Sequence, residues 1–288
     1  MTSTCRPPRT EITPPRVRAM PGACDCHIHI VGPADRYPLS ERRAYTPHDA
    51  SLAQYEQVQS VLGTERVVVV QASVYGTDNR RTLDALAHFG SRDSRGIVVI
   101  DPDLPMAELR RMHDLGVRGV RVNLVTPGGP PLDHLVSLSR KIAPLGWHVQ
   151  VYLRGEDLPR LGPLLQDLPT DVVIDHLGQI PADWGVDHDA VATLRALLDG
   201  GRAWVKLCGY RSSSAGHPFA DVDPLATLLV GAAPQRCVWG TDWPHPAFSG
   251  TMPDDGELLD ALMRWAPTDA LRRAVLVDNP AALYGFAR

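Results

Sequence analysis

Eight short apolar runs, each followed by a helical pattern, constrain this chain more than any other feature. They cover residues 23–31, 66–74, 95–101, 119–125, 147–153, 171–178, 203–210 and 236–243. Several are near-continuous in branched aliphatics, as in RVVVVQASV at 66–74, which is how strands covered on both faces read. Helical stretches over 48–62, 79–89, 105–116, 132–143, 157–168, 189–198 and 224–232 separate them, and 257–265 and 269–277 close the chain. Eight strand–helix units in 288 residues predict an α/β protein of the (β/α)8 TIM barrel class, which typically needs ~250 residues. The competing architecture, an open doubly wound sheet, carries a glycine-rich phosphate turn after its first strand. The stretch HIHIVGPADRYP at 27–38 is no such turn.

Residues 21–288 are expected to form that single domain. Residues 1–20 are proline-rich, carry Arg6, Arg9, Arg16 and Arg18, and have no apolar stretch of the secretory kind. They read as a flexible or surface-draped arm. The formal net charge of −4 gives no support for nucleic acid or membrane as a partner, and no apolar run approaches the ~18 residues of a membrane span. Five scattered cysteines read as reduced thiols of a cytoplasmic protein. A homo-oligomer is left open.

Active sites of such barrels stand at the C-terminal ends of the strands, so the polar residues there carry the functional reading. Strand one gives His27 and His29, which by period two share a face with Asp25 and leave Cys24 and Cys26 pointing out towards the helices. The later strands give Gln71 and Ser73, Arg121 and Asn123, Tyr152, Asp175 and His176, Lys206 and Arg211, and Asp242. Burying so many unpaired polar groups would cost free energy, so together they argue for a site. Singly each has a plainer explanation: a rim salt bridge for Arg121, local backbone hydrogen bonds for Ser73 and Tyr152. His148 reads as a core or bottom-face residue, His217 and His245 as solvated.

The pair HIH at 27–29, DHLG at 175–178 and GTDWPH at 240–245 resemble the amidohydrolase superfamily. Tyr45 in YTP, QASVYGTDN at 71–79 and GVRGVRVN at 116–123 narrow the likeness to the branch of 2-pyrone-4,6-dicarboxylate lactonase and related sugar-acid and muconolactone lactonases. The resemblance implies a hydrolase that opens a small anionic lactone. Asp242 would be the general base for water, with His27, His29 and His176 around the attacked carbonyl. Tyr45, Ser73, Arg121, Tyr152 and Arg211 would hold carboxylates or hydroxyls. The alternatives are a lactone isomerase, a metal-dependent decarboxylase and a catalytically inactive binding protein. The dicarboxylate lactonase has a second arginine shortly after that of strand four; residues 125–130 here, VTPGGP, hold none.

Metal-dependent members of the superfamily add an acid or carboxylated lysine on strand four, or a histidine on strand five. Arg121, Asn123 and Tyr152 replace these ligands poorly, so no cofactor is expected. The alternative is one divalent ion, zinc or manganese, on His27, His29 and Asp242. Finally, the long loop 32–47 is expected to close over the site, bringing Tyr45 and one of Arg36, Arg42 and Arg43 to the substrate.

Overall fold

The computed structural model describes residues 3–126 and 131–287. Eight parallel strands follow one another in chain order around a barrel. They are β1 Cys24–Ile28, β2 Arg66–Val70, β3 Ser94–Val98, β4 Val117–Asn123, β5 His148–Tyr152, β6 Val172–Ile174, β7 Ala203–Leu207 and β8 Cys237–Trp239. The ring closes just beyond β8, where the Asp242 amide donates to the His27 carbonyl and the His29 amide to Trp243, both at 2.8 Å. The backbone seam therefore runs through the residues expected to do the chemistry. Gly240 permits it: a Cβ there would lie 2.8 Å from both the Cβ and the nitrogen of His27.

The helices α1 Leu52–Leu62, α2 Arg80–Phe89, α3 Met106–Asp114, α4 Leu135–Ile142, α5 Leu158–Gln166, α6 Asp189–Asp199, α7 Asp223–Ala232 and α8 Asp255–Trp265 surround the barrel. Their boundaries follow local chemistry. Ser51 and Gln54 form a reciprocal cap at the start of α1, and Gly63, at φ 81°, ends it. The main core packs outward-facing strand residues such as Val67, Val69, Val120 and Val149 against Tyr55, Leu86, Leu109 and Leu138 of the helices. A separate cluster of Val68, Val70, Val173, Trp204 and Val238 fills the barrel floor, plugged from below by Tyr284 and Phe286 of the C-terminal segment.

Cys24 and Cys26 belong to that interior cluster, which corrects their expected outward orientation. The register of β1 on β2 slips between Asp25, opposite Val67, and Ile28, opposite Val69. Three residues span what two span on the partner, and a bulge of this kind inverts the alternation. Asp25 is thereby turned away from the histidines. It accepts from Tyr55 Oη of α1 at 3.2 Å and from Thr241 Oγ1 at 2.6 Å, as a structural carboxylate pinning β1 to the β8 end. All five cysteines are free thiols.

The described part of the arm follows the barrel from mouth to base. Ser3–Thr4 pairs in parallel with Tyr45–Thr46. Cys5 Sγ accepts from the Ala247 amide at 3.2 Å, Thr13 bonds Asp254 ahead of α8, and the Ala19 amide reaches Leu62 at the end of α1. No helix among the described residues is long and apolar enough to cross a membrane.

Candidate active site

His27, His29, His176 and Asp242 converge inside the barrel mouth, each 2% exposed or less. The Nε2 atoms of His27 and His29 are 3.2 Å apart, and Asp242 Oδ1 lies 3.5 Å from the first and 3.3 Å from the second. Asp242 Oδ2 is anchored: Tyr210 Oη donates to it at 2.6 Å and the Arg211 Nε–H closes on it as well. Oδ1 has no hydrogen-bond partner among the described residues. One oxygen of the carboxylate is fixed and the other presents its lone pairs to the histidines.

Two of these side chains depend on unusual backbone. Asp242 and His176 adopt left-handed conformations, at φ 61° and 51°. Such residues cost of order 1–3 kcal/mol each and cluster at functional sites. At His176 the turn lets consecutive residues both serve the interior, which a regular strand forbids. Asp175 stays in the barrel and His176 rises to the cavity, its ring 4.8 Å from that of His27 and edge-on to Tyr152 at 5.2 Å.

Beneath His27 lies a polar layer that the barrel residues build together. Asp175 Oδ2 accepts from Arg121 Nη2 at 3.2 Å and Gln150 Nε2 at 3.1 Å. Lys206 Nζ donates to Gln150 Oε1 at 2.7 Å and stands 3.3 Å from His27 Nδ1, with Asp175 Oδ1 at 3.4 Å from the same nitrogen. These contacts assign protons. His29 Nδ1 is 2.8 Å from the Val70 carbonyl, which only accepts, so Nδ1 carries the hydrogen and Nε2 is bare. The contact between the two Nε2 atoms then needs the hydrogen of His27 on Nε2, leaving its Nδ1 to accept from Lys206.

Electrostatics agree with neutral rings. Burial, helped by Lys206, lowers His27 well below the usual range, and burial lowers His29. Burial brings His176 down to about 3. Burial alone would raise Asp242, but Arg211 and then the imidazoles outweigh it and hold the carboxyl well below the usual range. The site thus presents an ionised carboxylate beside neutral imidazoles.

The cavity above these groups has a volume of about 40 Å³ and is lined by His29, Tyr45, Ser73, Arg121, Tyr152, His176, Arg211 and Asp242. All nine expected site residues are therefore brought together, with His27 directly behind the lining. Tyr45 and Ser73 meet at 3.4 Å, and burial raises the Tyr45 hydroxyl to about 12. Arg121 is both a rim ion pair and a lining residue, and its Nε has no partner among the described residues. Tyr152 Oη accepts from Gln179 at 2.7 Å. The loop arginines do not join them: Arg36 pairs with Asp84, and Arg43 bonds Ser40 and Thr46. His217 sits at the surface against Glu257, whereas His245, expected in solvent, is 1% exposed. It lies 3.2 Å from Asp255 and edge-on to Tyr210. Gln150 and Tyr210 are further members of the site. The signal for Gln150 was its position between His148 and Tyr152 on the barrel-facing parity of β5.

The residues matched to a family model described as Amidohydrolase run from 24 to 286. The chain belongs to the amidohydrolase family. It is 41% identical over 282 residues to a 2-pyrone-4,6-dicarboxylate hydrolase of Comamonas testosteroni, covering 94% of this chain and 92% of that one. It is 37% identical over 287 residues to a 4-sulfomuconolactone hydrolase of Hydrogenophaga intermedia, covering 98% and 94%. A crystal structure from Agrobacterium tumefaciens superposes with a TM-score of 0.87 at 30% identity, covering 95% of this amidohydrolase and 99% of that chain.

The family raises the question of a metal, and the donor set fits one ion. His27 Nε2, His29 Nε2 and Asp242 Oδ1, spaced 3.2–3.5 Å apart, match the edges of a tetrahedron whose bonds are ~2.0–2.1 Å. A bound ion would need both Nε2 atoms bare, moving the His27 hydrogen to Nδ1, where Asp175 Oδ1 can accept it.

Buried neutral histidines make stability depend on acid. Burial holds His176 and, at the barrel floor, His148 at about 3, against ~6.5 unfolded. Their contribution is complete above pH 6.5 and is lost as pH falls towards 3. At pH 5 each is worth ~2 kcal/mol less than at neutrality. Asp25, raised by burial to about 6, acts oppositely: its contribution is complete below its unfolded pKa and is lost as pH rises through 6. It offsets ~1 kcal/mol over the same interval. The melting temperature is expected to be several degrees lower at pH 5 than at pH 7 in calorimetry, and a flat profile would refute this account of the two histidines.

Proposed function

We propose that this amidohydrolase opens the ester ring of a small carboxylated lactone with water activated by Asp242. The observation that carries the reading is Asp242 Oδ1, a carboxylate oxygen without a hydrogen-bond partner among the described residues, beside the histidine rings at the end of a cavity lined with arginine. Water bound between Oδ1 and the lactone carbonyl loses a proton to Oδ1 as its oxygen attacks. The carbonyl oxygen gathers negative charge, which the His176 ring, lining the cavity, is placed to receive. The C–O bond to the ring oxygen then breaks, and the proton held on Asp242 passes to the leaving alkoxide or enolate. Arg121, through its free Nε, binds the substrate carboxylate, and Tyr45, Ser73 and Tyr152 orient the ring. A divalent ion on His27, His29 and Asp242, where bound, would polarise the carbonyl and acidify the water.

The relatives acting on a pyrone dicarboxylate and a sulfomuconolactone support an anionic lactone as substrate. A cytoplasmic location belongs to the same proposal and rests on the free thiols. The test is a panel of carboxylated lactones followed by proton release and NMR. Ring opening to an acid supports the proposal. A rearranged ring means that a substrate hydroxyl, not water, is the nucleophile, and no turnover of any member overturns the proposal.

A further inference from the structure

The catalytic cavity is too small for the substrate just proposed. Its ≈ 40 Å³ falls far below the ~300 Å³ at the lower end of small-molecule sites. A second cavity of ≈ 250 Å³ adjoins it, walled by Arg154, Glu156, Gln179, Trp184 and Arg211. Arg211 lines both cavities. The rest of the partition is the hydrogen bond from Gln179 Nε2 to Tyr152 Oη, 2.7 Å long. Only the two spaces together approach the volume such a ligand needs.

The chemistry of the outer space is cationic and amphipathic. Arg154 follows β5 by two residues, so its loop leaves the catalytic face of the barrel. Among the described residues its guanidinium has no ion-pair or hydrogen-bond partner, and Glu156, the one acid of the wall, is not paired with it. Arg211 uses two of five N–H donors, on Asp242 and the Pro246 carbonyl, leaving three. Trp184, at 37% exposure one of the two large apolar side chains exposed in the described chain, rests on His188 with ring centroids 4.3 Å apart. It offers an apolar wall at which a charged arm can lie. Elsewhere around the mouth Arg36 is engaged by Asp84 and Arg43 by Ser40 and Thr46.

We propose that this vestibule is a second anion subsite, in which Arg154, with the outer edge of Arg211, binds a carboxylate or sulfonate carried on an arm of the lactone. It takes the place of the extra strand-four arginine that the sequence lacks. The Gln179–Tyr152 contact opens to let the arm lie across it. The inference rests on the lactonase reading for the identity of the ring, but not for the anion contact itself.

Two measurements test it. The first is calorimetric titration of the whole protein with isophthalate and with benzoate, which offer two carboxylates or one and cannot be hydrolysed. The wild type is expected to bind isophthalate at least tenfold more tightly. Arg154→Ala should remove that preference and Arg154→Lys should retain part of it. The second compares lactones with one and two anionic groups: in Arg154→Ala the ratio of kcat/KM values, diacid to monoacid, falls at least tenfold, carried by KM. No preference for isophthalate in the wild type, or an unchanged preference in Arg154→Ala, overturns the subsite. Arg154-dependent isophthalate binding in a protein that opens no lactone leaves the subsite standing and removes the lactonase reading instead.

Discussion

Asp242→Asn should lower kcat by ~10²–10⁴-fold, the contribution of a positioned general base, with the fold intact. Tyr210 and Arg211 donate to Oδ2, so the amide of the variant turns its single oxygen towards them. Its NH2 then faces His29 Nε2, where Oδ1 had stood at 3.3 Å. The site keeps its shape and gains a donor where it needs an acceptor for the proton of water. Arg211 loses its counter-charge in a nearly buried position, with its side chain 11% exposed. A fall of a few degrees in melting temperature is therefore expected, but no loss of secondary structure. Steady-state kinetics and circular dichroism on one preparation check this. A variant retaining most of the wild-type kcat would move the base elsewhere in the cavity.

The barrel and the ring of site residues were legible because each rests on local pattern. Parallel strands buried on both faces read as apolar runs, and polar residues at their C-terminal ends stand out against that background. Period two fails where the backbone leaves the regular strand. The bulge before His27 reverses Cys24, Asp25 and Cys26, and nothing in ACDCHIH marks the slip. The left-handed turn at His176 places two neighbours inside instead of one. The loop 32–47 brings Tyr45 to the cavity but turns Arg36 to Asp84, distant in sequence, and Arg43 back on Ser40 and Thr46 of its own loop. His245 is similar: only the fold shows that Asp255 and Tyr210 enclose it. The cation that replaces the missing strand-four arginine was not among the expected residues either. Residues 127–130, four of the six in that arginine-free stretch, lie outside the described residues.

Lys206→Met should be the most damaging single change to the layer below the site, costing ~3–5 kcal/mol of stability, as breaking a buried ion pair does. Lys206 is 0% exposed, and burial lowers its amine from the ordinary range. Its Nζ lies 3.6 Å from Asp175 Oδ1. Removing it leaves Asp175 with Arg121 as its one remaining ion-paired cation and Gln150 Oε1 without its donor. It also removes the donor to His27 Nδ1, so the ring is free to place its hydrogen there and donate to Asp175. The Nε2–H that His27 gives to His29 is then lost, leaving two bare nitrogens face to face beside the ionised Asp242, and kcat should fall ~100-fold with KM nearly constant, because the rings around the reacting carbonyl are displaced and the groups that hold the substrate are not. Adding Asp175→Asn separates the two effects. The double variant removes the acceptor for a His27 Nδ1–H but leaves the buried Arg121 without its carboxylate, so it should regain none of the lost melting temperature. Its kcat should recover in part, since the amide introduced by Asp175→Asn can donate to His27 Nδ1 and return the hydrogen to Nε2. Chemical denaturation and kinetics on the two single variants and the double variant complete the cycle. A kcat that stays as low as in Lys206→Met would mean that Lys206 merely holds the barrel floor together and does not set the proton on His27.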